Sequence, residues 1–99
     1  MSFVTAQPEM LSAAAFDLQA IGSAMAAQNA AIAAPTTGVV PAAADEVSAL
    51  TALQFATHGA MYQAVAAEAA VLHQLLVTTL ATSAGSYAAT EAANAVTLN

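Results

Sequence analysis

A chain of 99 residues with no Lys or Arg, six acidic residues and a formal charge of -6 has nothing to neutralise phosphate groups, which excludes nucleic-acid binding. Its hydrophobic fraction of 60% includes 31 alanines, which favour helix but bury little area each. A single domain this short is marginally stable alone. The absence of cysteine excludes disulfides and thiolate metal sites.

The first predicted helix covers residues from about 8 to about 35. It begins at Pro8, whose fixed φ suits the first helical position, and Glu9 complements the helix dipole there. It ends near Gly38, after a proline and two threonines. Four apolar residues recur every seven positions along it and predict one apolar seam. They are Leu11, Leu18, Met25 and Ile32.

The second predicted helix covers residues from about 45 to about 81, with Asp45 and Glu46 in its first turn. The apolar pattern fades over residues 81–86, so we expect residues 87–99 to form a tail that is disordered or partly helical. Two long helices joined by a short connector pack antiparallel. The sequence therefore predicts an all-α hairpin domain over residues 1–86. The apolar stripe of its second helix comprises Val47, Leu50, Met61, Val65, Leu72, Leu75 and Leu76.

Several aromatic and aliphatic residues lie outside these two seams and predict a partner chain. Phe16 lies opposite the first seam, Phe55 and Tyr62 lie to one side of the second stripe, and Leu53 lies to the other. Because a hairpin cannot bury all of these side chains, we expect helices of another protein to complete a four-helix bundle. A self-associating homo-oligomer is the alternative. Glu68, inside the apolar stripe, either meets a cation of the partner or lies at the rim of the interface.

No residues are predicted to be catalytic, to hold a cofactor or to bind a metal, so we do not expect an enzyme. His58 and His73 have no acidic residue three or four positions away, and Ser86 lacks the flanking glycines of a nucleophile elbow. Gly22 and Gly59, inside the helices, either contact a crossing helix closely or are isolated glycines that an alanine-rich helix tolerates at a cost of about 1 kcal/mol.

The first residues and the polar residues within the predicted helices bear on export and on membrane insertion. The first residues carry no positive charge and no continuous apolar segment, so we expect no ordinary secretory signal peptide. Polar residues interrupt the alanine-rich stretches, which argues against a simple transmembrane helix. These interruptions include Asp17, Gln28, Asn29, Gln54, Gln63, Glu68 and Gln74.

Three features together resemble the PE proteins of mycobacteria. Pro8-Glu9 is the dipeptide that names that family, and residues 35–50 are similar to its middle segment. Tyr87 and Glu91 match its Tyr-x-x-x-Asp/Glu secretion signal. The resemblance covers nearly the whole chain, and the positions of the motifs make it specific.

This resemblance implies a larger PPE protein as partner, with two helices from each chain packed as a bundle. It implies that the pair is secreted to the cell surface or beyond by a type VII secretion system and acts there in host interaction. A chaperone of the EspG kind would hold the PPE partner. The chain stops at Asn99, so we expect the PE domain alone, without an enzymatic extension. The alternative is an outer-membrane-associated pair for small-solute uptake.

Overall fold

The computed structural model of the chain describes residues 4–98. The first three residues, on which the signal-peptide argument partly rests, and Asn99 of the predicted tail lie outside the described residues. Two helices make up the described fold, α1 over Pro8–Thr37 and α2 over Glu46–Leu98, joined by a connector over residues 38–45. The prediction of an all-α chain with two long helices is confirmed.

Helix α1 begins where the sequence predicts. The Gln7 carbonyl accepts the N–H groups of Met10 and Leu11 at 3.0 and 3.3 Å, so Gln7 is the N-cap and Pro8 the first helical residue. Proline has no N–H to leave unpaired at this position. The start of α1 is therefore fixed by local chemistry.

The end of α1 lies two residues beyond its second proline. Pro35 is inside the helix and removes one hydrogen bond from its last turn. The hydroxyls of Thr36 and Thr37 donate to the carbonyls of Ile32 and Ala33, each at 2.7 Å. These are the bonds that a threonine hydroxyl commonly makes to the carbonyl four residues before it in a helix, and the helix ends at Thr37.

Helix α2 begins with an aspartate cap. The carboxylate of Asp45 accepts the Ser48 N–H at 2.8 Å and the Ser48 hydroxyl at 2.9 Å, which is the usual bond from the N-cap to the third helical residue. The bond from the Ser48 N–H, with a smaller effect from its hydroxyl, lowers the pKa of Asp45 below its ordinary value. The charged form of the Asp45 carboxylate thus stabilises the first turn of α2.

The predicted end of the second helix is wrong. The helix continues to Leu98, well beyond the end predicted near residue 81, and residues 87–98 belong to it. Alanine has the highest helix propensity, and alanines recur through residues 88–95. The apolar pattern fades there, yet the backbone still favours helix.

The described chain divides into two compact units. The connector unit comprises Ser23–Val71, and the termini unit comprises residues 4–22 with 72–98. Each unit contains one segment of α1 and one of α2. In the connector unit Asn29 contacts Gln63, and in the termini unit Leu18 contacts His73. Further contacts, between Thr36 and Gly59 and between Ala6 and Glu91, make the two segments antiparallel in each unit.

Small residues fill the contact between the helices, and large ones lie outside it. Among the described residues the buried apolar side chains are three alanines and one valine, whereas 21 large apolar side chains are exposed. The predicted α1 seam is half right, because Leu11 and Leu18 are half-buried but Met25 and Ile32 are exposed. The predicted α2 stripe is exposed throughout. The buried residues are Ala15, Ala52, Gly59, Val77 and Ala84.

Both helices are long and apolar enough to cross a membrane by length and composition. The interrupting polar residues therefore do not exclude a membrane span as the sequence argument held. Core helices of soluble proteins and signal sequences have the same composition, so this property is weak evidence for a span.

Candidate functional site

In the connector unit, α2 lies directly on the backbone of α1. A Cβ atom built on Gly59 would lie 2.4 Å from the Thr36 carbonyl oxygen and 2.8 Å from its carbon. Only glycine leaves room for an approach this close. The predicted role of Gly59 as a helix-contact residue is confirmed.

Asn29 of α1 links the same two helix segments through hydrogen bonds. The Tyr62 hydroxyl donates to the Asn29 side-chain oxygen at 2.7 Å, and the Gln63 side-chain amide donates to the Asn29 carbonyl at 3.0 Å. The Tyr62 hydroxyl is therefore bonded within the chain, while the residue as a whole stays 45% exposed.

An apolar groove of about 460 Å³ opens beside these contacts, between the end of α1 and the third to fifth turns of α2. Phe55 is 64% exposed there, and the imidazole of His58 also lines the groove. An open apolar groove of this kind accommodates apolar side chains better than a polar ligand. Its lining consists of Ile32, Pro35, Thr36, Val39, Phe55, His58, Gly59 and Tyr62.

The structure brings together two of the four apolar residues predicted for the partner interface. Phe55 and Tyr62 line the groove. Leu53 precedes Phe55 by two residues, about 200° around the helix, so it lies on another flank of α2 and is 62% exposed. Phe16 is 74% exposed and belongs to the termini unit. A partner that contacts all four must therefore touch more than one flank.

Glu68 is exposed on α2 among apolar neighbours that are also exposed. Val65 and Val71 lie three residues before and after it, and both are exposed. Residues three apart are neighbours on a helix surface. Glu68 thus places a negative charge inside an apolar surface patch, with no Lys or Arg in the chain to pair with it.

In the termini unit, an imidazole lies between the two helices. His73 Nε2 lies 2.6 Å from the Leu18 carbonyl oxygen, so this nitrogen carries the proton and donates it. A Cβ atom on Gly22 would lie 2.7 Å from the same ring. His73 thus bonds between the helices, and Gly22 lies at a close approach of the two helices.

The two sequence motifs occupy the same end of the termini unit. Tyr87 and Glu91 lie four residues apart on α2, so they share one helix face. Tyr87 is 50% exposed. Pro8 and Glu9 begin α1, and the segment just before them contacts Glu91 through a hydrogen bond from the Ala6 N–H to Glu91 Oε1 at 3.2 Å.

A second groove of about 600 Å³ runs along this contact. Tyr87 and Glu91 belong to the stretch predicted as a disordered or partly helical tail, whereas both lie within the continuous helix α2. The bond from Ala6 was not predicted, because a backbone donor leaves no mark in the sequence. The groove is lined by Val4, Thr5, Ala6, Gln7, Met10, Leu11, Tyr87, Thr90, Glu91 and Asn94.

Within residues 4–98, no group of three or more His, Cys, Asp or Glu side chains could hold a metal ion. This part of the chain has an apolar groove lined by Phe55 and Tyr62 and a second groove lined by Tyr87 and Glu91. Both suit recognition of another molecule by packing and hydrogen bonding.

Comparison with known proteins finds one family. The PE family profile matches residues 4–94. The chain is 70% identical to PE family protein PE13 of Mycobacterium tuberculosis over 95 residues, which cover 96% of each. It is 57% identical to PE8 of the same organism over 95% of this chain and 34% of that protein. It is also 53% identical to PE cleavage protein A over 93% of this chain and 16% of that protein.

Proposed function

Because the chain belongs to the PE family, we propose that it is the non-enzymatic subunit of a secreted heterodimer with a PPE protein. The observation that carries this proposal is the distribution of apolar side chains, with small ones between the helices and 21 large ones exposed. Exposed apolar surface on this scale is typical of an obligate interface.

The PPE partner would supply the other two helices of a four-helix bundle. Phe55 and Tyr62 would receive its side chains at the groove of the connector unit, and Leu53 and Phe16 would extend the contact to other flanks. Glu68 would pair with a Lys or Arg of the partner, or lie at the rim. An unpaired charge inside an apolar interface is costly, and pairing it with a cation offsets that cost.

Export would use the type VII secretion system, with Tyr87 and Glu91 as its signal. A ring and a carboxylate on one helix face can be read together by an apolar pocket and a basic group. A chaperone of the EspG kind would hold the PPE partner before export. The complex would then act at the cell surface or outside the cell, in host interaction.

One experiment separates pairing from export. The chain is co-expressed in a mycobacterium with the PPE protein encoded beside it, and the culture supernatant and cell lysate are analysed by size exclusion and blotting. We expect a one-to-one complex in both fractions. For Tyr87→Ala and Glu91→Ala we expect the complex in the lysate and none in the supernatant, with Ala88→Ser as the matched control. Normal secretion of both variants, or loss of the complex, contradicts the proposed signal.

A second candidate function is an outer-membrane-associated complex for small-solute uptake. It is favoured by the apolar composition of both helices, which reaches that of membrane spans. If it holds, deletion of the chain should lower solute uptake, and the complex should fractionate with the outer membrane and need detergent for release. Release by buffer alone with unchanged uptake contradicts it.

A further inference from the structure

The contact between the start of the chain and Glu91 is specific in its chemistry. The Ala6 N–H donates to Glu91 Oε1 at 3.2 Å, and both residues are half-buried. A hydrogen bond to a carboxylate is stronger than one between neutral groups. The bond joins residues 85 positions apart, so it fixes the N-terminal segment against the last third of α2.

Glu91 has no cationic side chain near it within its own chain. The sequence contains no Lys or Arg, and its two histidines, His58 and His73, lie more than four helical turns away along α2. The bond that the carboxylate accepts comes instead from the backbone N–H of Ala6. The start of α1 lies beside it and adds the favourable end of its helix dipole.

Pro8 determines where the donor lies. A proline restricts the residue before it to extended conformations, so Gln7 leaves α1 as an extended chain rather than as a further helical turn. Ala6 then follows the surface of α2 in the groove that Tyr87 and Glu91 line. The proline at the start of α1 and the carboxylate near the end of α2 are thereby parts of one local structure.

We propose that the N-terminal segment Val4–Gln7 is part of the export signal, because the Ala6 N–H holds the Glu91 carboxylate in the orientation in which it is presented beside Tyr87. This inference rests on the proposed role of Tyr87 and Glu91 in export. Ala6 acts through Glu91 and is a positioning residue. The surface read by the secretion machinery thus includes both ends of the chain.

The test removes one N–H and leaves both motif residues unchanged. Ala6→Pro deletes the donor, Ala6→Gly keeps it, and Thr5→Pro stiffens the same segment while keeping the Ala6 N–H. Each full-length variant is expressed with the PPE protein encoded beside it, and the ratio of exported to cell-associated chain is measured. We expect Ala6→Pro to lower this ratio by roughly tenfold to a hundredfold, the factor for one lost hydrogen bond to a charged group. Ala6→Gly and Thr5→Pro should export normally.

A second readout measures the contact itself. The chain has no cysteine, so Thr5→Cys with Asn94→Cys, both lining the groove, introduces the only thiols for a short bis-maleimide cross-linker. We expect efficient cross-linking that falls when Glu91→Ala is added. The control pair, Thr5→Cys with Ala92→Cys, moves one thiol about 200° around the helix and should cross-link poorly.

The outcomes distinguish this inference from the proposed function. If Glu91→Ala and Tyr87→Ala are exported normally, the export signal is wrong and this inference fails with it. If those variants stay in the cell but Ala6→Pro is exported as well as Thr5→Pro, the signal stands and the inference alone is overturned. Cross-linking that is equal for the two thiol pairs also overturns it. An equal loss of cell-associated complex for Ala6→Pro and Thr5→Pro would mean that the N-terminal segment is needed for folding, and it would overturn the inference too.

Discussion

In the connector unit α2 touches the backbone of α1, whereas in the termini unit a histidine side chain lies between the two helices. Gly59 rests against the Thr36 carbonyl, and Gly22 makes room for the His73 ring. A backbone contact cannot be relieved by a rotamer change, but a ring can turn away at the cost of its hydrogen bond to Leu18. The same residue type therefore serves a rigid contact in one unit and an adjustable one in the other.

The two units also present different surfaces. The connector unit exposes an apolar groove with Phe55 and Tyr62, and the termini unit exposes a groove with Tyr87 and Glu91. An apolar groove stabilises a complex by burial, while a carboxylate beside an aromatic ring adds orientation and specificity. This difference fits a division between holding a partner and being recognised for export.

The largest expected effect is on binding to the partner, for aromatic truncation in each unit. Phe55→Ala and Phe16→Ala should each weaken the complex by ~2–4 kcal/mol, the range for buried aromatic anchors. Affinity measured for the purified pair tests this, with the exposed Thr57→Ala as control. A loss for Phe55→Ala but not for Phe16→Ala would confine the partner to the groove side. Unchanged affinity for both would place the interface elsewhere.

The next effect concerns the backbone contact of the connector unit. Gly59→Ala places a methyl group against the Thr36 carbonyl and should lower the free energy of unfolding by ~1–3 kcal/mol, as overpacking does. Gly85→Ala is the matched control, because nothing lies within 4 Å of its added Cβ. That control should instead stabilise α2 by up to ~1 kcal/mol. Thermal unfolding of the purified complex measures both, and equal effects at the two positions would refute the close contact.

A smaller effect, with a rescue, is expected in the termini unit. Gly22→Ala displaces the His73 ring and should cost about 1 kcal/mol, the value of one neutral hydrogen bond. Because the obstacle is a side chain, adding His73→Ala should remove part of that cost. Non-additivity in a double-mutant cycle is the measurement. Strictly additive losses would show that Gly22 and His73 do not contact each other.

The sequence predicted the contacts that depend on backbone chemistry. Pro8 starts α1, and Gly22 and Gly59 both lie at close approaches of the two helices. It did not predict which faces meet, because it assigned the leucine-rich stripe of α2 to the hairpin seam. That stripe is exposed, and Ala52, Val77 and Ala84 are buried instead. Apolar periodicity measures the surface to be buried but does not tell whether the chain itself or a partner buries it.

The end of α2 and the bond to Glu91 were missed for related reasons. The sequence of residues 87–98 has no amphipathic pattern, and almost every side chain there is exposed. Packing therefore contributes little to this helical segment, and the helix propensity of alanine stabilises it instead. The Ala6 donor belongs to the backbone and is brought to Glu91 by tertiary packing. Spacing within the sequence could not reveal it.

The smallest expected effect is a pH dependence at the start of α2. The hydrogen bonds that Asp45 accepts from Ser48 lower the pKa of Asp45 in the folded chain. The contribution of Asp45 to stability is therefore present above its unfolded-state pKa and is lost as the pH falls through its folded-state pKa. Asp45→Asn keeps the capping oxygen but removes the charge. Thermal midpoints measured from pH 6 down to pH 3 should fall less for Asp45→Asn than for the original chain. Parallel curves would contradict a role for this carboxylate.

The two helices meet through small residues, and we expect a partner that covers the large exposed side chains to supply most of the stability. Thermal unfolding of the full chain, followed by circular dichroism alone and in complex with the proposed PPE partner, measures this. We expect a broad, weak transition or aggregation for the chain alone and one sharp, cooperative transition for the complex. A sharp transition for the chain alone, unchanged by the PPE protein, would rule out stabilisation by a partner.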